Sequence, residues 1–99
     1  MIKVKYNSEY KLIEVTGHAG YEDYGKDIVC ASVSSIILSS VNLAHDFNDK
    51  IIYKDENDKI TIINETNDEN VKKVFNNMIL CLIDLEKQYP NNIKISKGE

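Results

Sequence analysis

The chain has 99 residues, 42% of them apolar, which is enough for one domain around a single modest core. Its net charge is −4, and its twelve basic residues are all lysines, so the bidentate guanidinium grips that read phosphates and guanine edges are missing and nucleic acid is excluded as the main partner. Two cysteines without a paired framework fit a reducing compartment. The longest apolar run, Ile28 to Ala44, is broken by Ser32, Ser34, Ser35, Ser39, Ser40 and Asn42, so no membrane span is expected.

The amino terminus alternates Ile2, Val4 and Tyr6 with Lys3 and Lys5, a strand pattern with no cleavable signal, and a cytoplasmic protein is expected. A turn at Asn7-Ser8-Glu9 leads into a second strand, Tyr10 to Thr16, and the two form a hairpin. Three of the four glycines, Gly17, Gly20 and Gly25, then fall within nine residues, interleaved with Tyr21 and Tyr24. That stretch reads as a mobile loop. Asp27 is a good helix N-cap, and the chain is helical from there to about Asn48, with Val29, Val33, Ile36, Ile37, Val41, Ala44 and Phe47 on one apolar face. A second hairpin runs from Ile51 to Lys54 and from Lys59 to Ile63, and the charges of Asp55 to Asp58 at its turn are read as solvated. Thr66 and Glu69 have the spacing of a capping box. The helix they open buries Val71, Phe75, Met78, Leu82, Leu85 and Tyr89, and Pro90 ends it. Ile93 and Ile95 make a last strand. The expected fold is α/β (α+β): one two-layer domain over residues 1–99, order β-β-α-β-β-α-β, with both helices on one face of a mixed sheet.

One segment concentrates reactive chemistry. With Asp27 as cap, Cys30 is the third helical residue, in the turn where unpaired N–H groups and the positive end of the helix dipole favour a thiolate. The same N–H groups could receive the oxyanion formed when a thiolate attacks a peptide carbonyl. His18 ends the preceding strand, and the intervening loop could fold it back as a base. Against this stands the plainer reading of Cys30 as a small core residue and of His18 as a loop residue. Asp27 and Ser34 share the helical face of Cys30. Asp27 serves most simply as the cap, although it could orient His18 or the substrate, and Ser34 either hydrogen-bonds near the thiol or packs. Tyr21 and Tyr24 form an aromatic lid or anchor the loop. Cys81, between Leu80 and Leu82, belongs in or near the core. His45 is roughly 22 Å along the helix from Cys30 and cannot serve it within one subunit. No zinc-ligand spacing, phosphate loop or serine elbow is present, so neither a metal nor another cofactor is expected.

The segment Gly17-His18-Ala19, a loop containing Tyr and Gly, then Gly25-Lys26-Asp27-Ile28-Val29-Cys30-Ala31 and Ser34 resembles the signature of the bacterial ribosomal-processing cysteine protease family, Prp. Glu22 and Ser32 stand where that pattern favours alanine, and neither touches the His18/Cys30 pair. The resemblance implies a homodimeric thiol protease whose loop from His18 to Cys30 is a flexible flap. It further implies that a short amino-terminal extension is removed from large-subunit ribosomal protein twenty-seven, with cleavage after an aromatic residue and hence an apolar pocket near Cys30. His18 and Cys30 carry over as the catalytic pair, with Asp27, Ser34, Gly17, Tyr21 and Tyr24 as auxiliary or substrate-binding positions. Two other classes compete: a non-catalytic ribosome-assembly or protein-binding module, and a redox sensor in which Cys81 resolves an oxidised Cys30.

Overall fold

A computed structural model of the chain describes residues 1–17 and 24–98, with the side chains of residues 24–27 left aside. The elements follow the expected order: β1 (Ile2–Asn7), β2 (Leu12–Thr16), α1 (Tyr24–Phe47), β3 (Ile51–Glu56), β4 (Lys59–Asn64), α2 (Glu69–Gln88) and β5 (Ile93–Gly98). The five strands form one sheet in the order β3-β4-β2-β1-β5. All neighbours are antiparallel except β1 and β5, which run parallel because α2 carries the chain back across the sheet.

Period-two alternation decides what faces the helices. Val4, Val15 and Ile60 lie side by side across three strands, as do Ile13, Ile62 and Tyr53. Their row meets Val29, Val33, Ile37, Val41 and Ala44 of α1 and Val71, Phe75, Met78, Ile79, Leu82 and Leu85 of α2 in one core. The opposite face carries Lys3, Lys5, Lys54, Lys59 and Lys94, all exposed. An antiparallel sheet tolerates such one-sided solvation.

Local chemistry fixes the connections. Asn57 and Asp58 both have left-handed φ, 53° and 62°, the requirement of a two-residue hairpin turn that these side chains meet more readily than others. Tyr10 is also left-handed (φ 54°), and its ring stacks on Tyr6 with centroids 5.9 Å apart. Its hydroxyl donates to Asn76 of α2 at 2.6 Å, which ties the first hairpin to the second helix. Glu9 meets Lys72 at 2.9 Å. The hydrogen bond from Lys72, and then its charge, hold the Glu9 carboxyl below its usual range. The contribution of this surface pair is therefore complete above the ordinary carboxylate range and is lost as pH falls through the lowered value.

Several expectations are corrected. The cap of α2 is Asp68, not Thr66: the Asp68 carboxylate accepts from the N–H groups of Asn70 at 2.8 Å and Val71 at 3.4 Å. Thr66 instead accepts from the Asp68 N–H at 2.8 Å, two residues before the cap, and Glu69 is the first helical residue, so no capping box closes. Asp68→Ala should lower stability by about 1 kcal/mol, read from a denaturant midpoint, whereas Thr66→Val should leave both N-cap hydrogen bonds in place. Phe47 lies 48% exposed at the end of α1 instead of completing its buried face, and Tyr89 is only half-buried. Ile28–Phe47 does pass the test of length and composition for a membrane span, because its serines are small and uncharged and its one acidic residue, Asp46, lies at the end. In this fold its stripe of valines, Ile37 and Ala44 packs on the sheet.

Candidate active site

α1 lies across the inner face of the sheet so that Val29 and Val33 are buried, and Cys30, between them in sequence, lies at the flank of that stripe. Cys30 is half-buried, packs against the core and lines a cavity of about 190 Å³ between α1 and the sheet. The floor of the cavity is apolar: Ile2, Val15 and Val33 are buried, and Ile60 is half-buried. Its rim is polar, formed by Gly17, Ser34, Asp55 and Asp58. Ser34 is one helical turn beyond Cys30 and exposed, so it shares the cavity with the thiol and does not fill the core.

Gly17 is held by the pairing of the first two strands. Lys3 faces Thr16, which sets the chain entering β1 beside the chain leaving β2. There Gly17 adopts φ +91°, and a Cβ on it would lie 2.2 Å from the Met1 carbonyl oxygen. Only glycine fits. The residue that directs the chain toward His18 is thus fixed in both conformation and space.

The helix start differs from the expectation. α1 begins at Tyr24, so Asp27 is inside the helix, where a cap cannot be, and Cys30 is the seventh residue and not the third. An aspartate just before an apolar run signals a cap and an acidic first-turn residue equally well, since both exploit the positive end of the helix. With Cys30 in the second turn, its N–H belongs to the helical ladder and is not one of the four open donors, and the dipole's pull is largely spent. The first-turn arguments for a thiolate and for an oxyanion site at Cys30 therefore fall.

His18 and Tyr21 lie outside the described residues, as do the side chains of Tyr24 and Asp27. His45 is taken up elsewhere, with its Nε2 2.8 Å from the Ile51 carbonyl oxygen. Cys81 lines a separate groove between α1 and α2 with Ser32, Ser35 and Asp84. Cys30 and Cys81 form no disulfide and line different cavities. Among the described residues no group of three or more His, Cys, Asp or Glu side chains could hold a metal ion. The sequence reading missed Asp55 and Asp58 by assigning them to a solvated turn. Ile51, Tyr53 and Asp55 alternate on one face of β3, and that period places Asp55 on the inner side.

The family model described as cysteine protease Prp matches residues 1–94. A ribosomal processing cysteine protease Prp of Staphylococcus aureus strain Mu50 is 30% identical over 101 residues, covering 96% of this chain and 95% of that protein. The Mycoplasma genitalium protein of the same name is 32% identical over 98 residues, covering 95% of each. The crystal structure of the S. aureus protease with a covalently linked product peptide superposes with a TM-score of 0.82 at 29% identity, covering 99% of this chain and 100% of that one. The α+β fold and the match along nearly the whole length agree, and the chain belongs to the Prp family of cysteine proteases.

Proposed function

We propose that Cys30 is the nucleophile and His18 the general base of this cysteine protease, acting on a ribosomal protein precursor. The observation that carries this reading is the placement of the Cys30 thiol beside a cavity with an apolar floor. A floor of Ile2, Val15, Val33 and Ile60 suits an aromatic side chain just before the scissile bond, the preference the family resemblance implies. Since Cys30 lies past the first helical turn, activation of the thiol rests on the imidazole.

In this mechanism His18 takes the Cys30 proton, and the thiolate adds to the carbonyl carbon after the aromatic residue. The C–N bond then breaks as the imidazolium returns the proton to the leaving amine, leaving a thioester. Water, deprotonated by His18, adds to the thioester; the C–S bond breaks and the acid product departs. Ser34 and Gly17 shape the rim; Tyr21, Tyr24 and Asp27 lie between the pair in sequence and complete the substrate-binding segment. No cofactor enters.

Residues 1–99 act as a single domain, in the cytoplasm where ribosomal proteins are made, and the enzyme works as a homodimer. Leu38, Leu43, Phe47 and Leu80 are each about half exposed on the helices, which supports a second copy as their cover. Light scattering should then give about twice 11.3 kDa; a mass of one chain at micromolar concentration would remove the dimer from the proposal.

The substrate is tested with a peptide spanning the amino-terminal extension of large-subunit ribosomal protein twenty-seven. One cut is expected, after an aromatic residue, and replacing that residue by alanine should lower kcat/KM by about 10- to 100-fold, the value of burying one aromatic ring. Cleavage indifferent to that residue would reject the pocket assignment.

A further inference from the structure

We infer that the substrate docks as an added strand on the free edge of β3, its main chain pairing with that of Tyr53 and Asp55 beside the Cys30 cavity. The inference rests on the reading of Cys30 as nucleophile and assigns the surface that lays the peptide across it. The sheet order makes β3 and β5 the two edge strands. On the β5 edge the Glu86 carboxylate of α2 accepts from the Ile95 N–H at 2.9 Å, so that edge is blocked at its middle. On the β3 edge His45 of α1 covers one end, with its Nε2 2.8 Å from the Ile51 carbonyl oxygen. An edge left open recruits another chain, and natural sheets block the edges they do not use.

The hairpin register fixes what the rest of the β3 edge presents. At a two-residue turn the flanking pair, Glu56 and Lys59, exchanges both hydrogen bonds, and the exchange recurs at every second pair. Lys54 and Ile52 therefore bond to β4, whereas Ile51, Tyr53 and Asp55 turn their N–H and C=O groups outward. Two contacts agree with this phase. The Ile51 carbonyl meets His45 and not β4, and the N–H of Asn64, the residue opposite Ile51, donates to the Lys11 carbonyl at 2.9 Å. Among the described residues nothing meets the outward groups of Tyr53 and Asp55. These two residues thus offer two donors and two acceptors to one extended chain lying about 4.8 Å away. The position of the open stretch sets its occupant: Asp55 lines the same cavity as Cys30, so a strand laid on β3 passes the mouth of the site. Lys54, Asp55 and Glu56 charge this edge, which discourages its pairing with a second copy.

The test is a backbone scan of the substrate peptide on the native enzyme. N-methylation removes one N–H and keeps the side chain; it is placed on each residue in turn on both sides of the cut, sparing the scissile amide. Only alternate residues of a docked strand donate to β3. Losing one such hydrogen bond should lower kcat/KM about five- to tenfold at two positions two residues apart, with no change at the residue between them. Asp55→Pro removes an outward N–H that β4 does not use, a change that edge strands tolerate. It should lower kcat/KM for the peptide, relative to that for a phenylalanine ester too short to pair, about fivefold, and Asp55→Asn, which keeps the N–H, should lower it less. Losses at adjacent positions or at none, measured on the native enzyme, overturn the inference whether or not the variant folds. So does an Asp55→Pro variant that cleaves the peptide as fast as the native enzyme. Absence of any Cys30-dependent cleavage of peptide and ester would instead reject the reading of the nucleophile.

Discussion

Cys30→Ala should abolish peptide hydrolysis, lowering kcat/KM by at least about a thousandfold, because covalent catalysis has no substitute once its nucleophile is gone. The fold should survive. Cys30 is half-buried at the flank of the core, and removing one sulfur there costs about 1 kcal/mol at most. Cys30→Ser keeps the size of the side chain and should be nearly as inactive, since an imidazole ionises a hydroxyl far less readily than a thiol. Circular dichroism and progress curves on the same samples check both halves of the prediction. Cys81→Ala should leave hydrolysis unchanged, because Cys81 opens into the groove between the helices, away from the cavity. Activity retained in Cys30→Ala but lost in Cys81→Ala would reverse the assignment.

Gly17→Ala should be the most damaging small substitution outside the nucleophile. A methyl group there would sit 2.2 Å from the Met1 carbonyl oxygen, on a backbone at φ +91° that alanine disfavours. Left-handed strain and the displacement of a backbone neighbour together should lower stability by about 2–3 kcal/mol. In a domain of about 100 residues that corresponds to a fall in Tm of roughly 10–20 °C. The chain can relieve the clash by moving Gly17 away from Met1, and Gly17 is the residue before His18. A base displaced by about 1 Å costs around a hundredfold, so kcat/KM should fall even at temperatures where the variant is folded. A Tm within 2 °C of the native protein would show that the contact is relieved at no cost. Gly98 provides the control: a Cβ there has only an ordinary contact, 3.9 Å from the Tyr6 carbonyl oxygen, and Gly98→Ala should change neither quantity.

Most of the fold was legible because it rests on periodicity. Ile2-Val4, Ile13-Val15 and Ile60-Ile62 announce strands by alternation, and Val71-Phe75-Met78-Leu82-Leu85 announces a helix by its steps of four and three. Helix starts were less legible. Asp27 and Thr66 both have the chemistry of a cap, but the residues before Asp27 already wind into the helix and Asp68 offers its carboxylate two positions later than Thr66. Several side chains near one another satisfy the same local rule, and the register of the whole element against the core selects among them. The consequence for the site is specific: with α1 starting at Tyr24, Cys30 lies outside the first turn, and in the proposed mechanism activation of the thiol rests on His18. Cys30, Gly17 and Ser34 could be singled out from sequence because they lie within eighteen residues of one another. Asp55 and Asp58 come from a distant hairpin, and only the pairing of β3 with β4 and β4 with β2 brings them to the same cavity.

The most direct test of the central claim is affinity labelling with a peptidyl chloromethyl ketone that ends in phenylalanine, followed by intact-mass measurement and peptide mapping. One adduct per chain is expected, on Cys30, at a rate that drops at least a hundredfold in His18→Ala and is slowed by competing substrate peptide. An adduct on Cys81, or labelling of Cys30 that is indifferent to the loss of His18, would contradict the account.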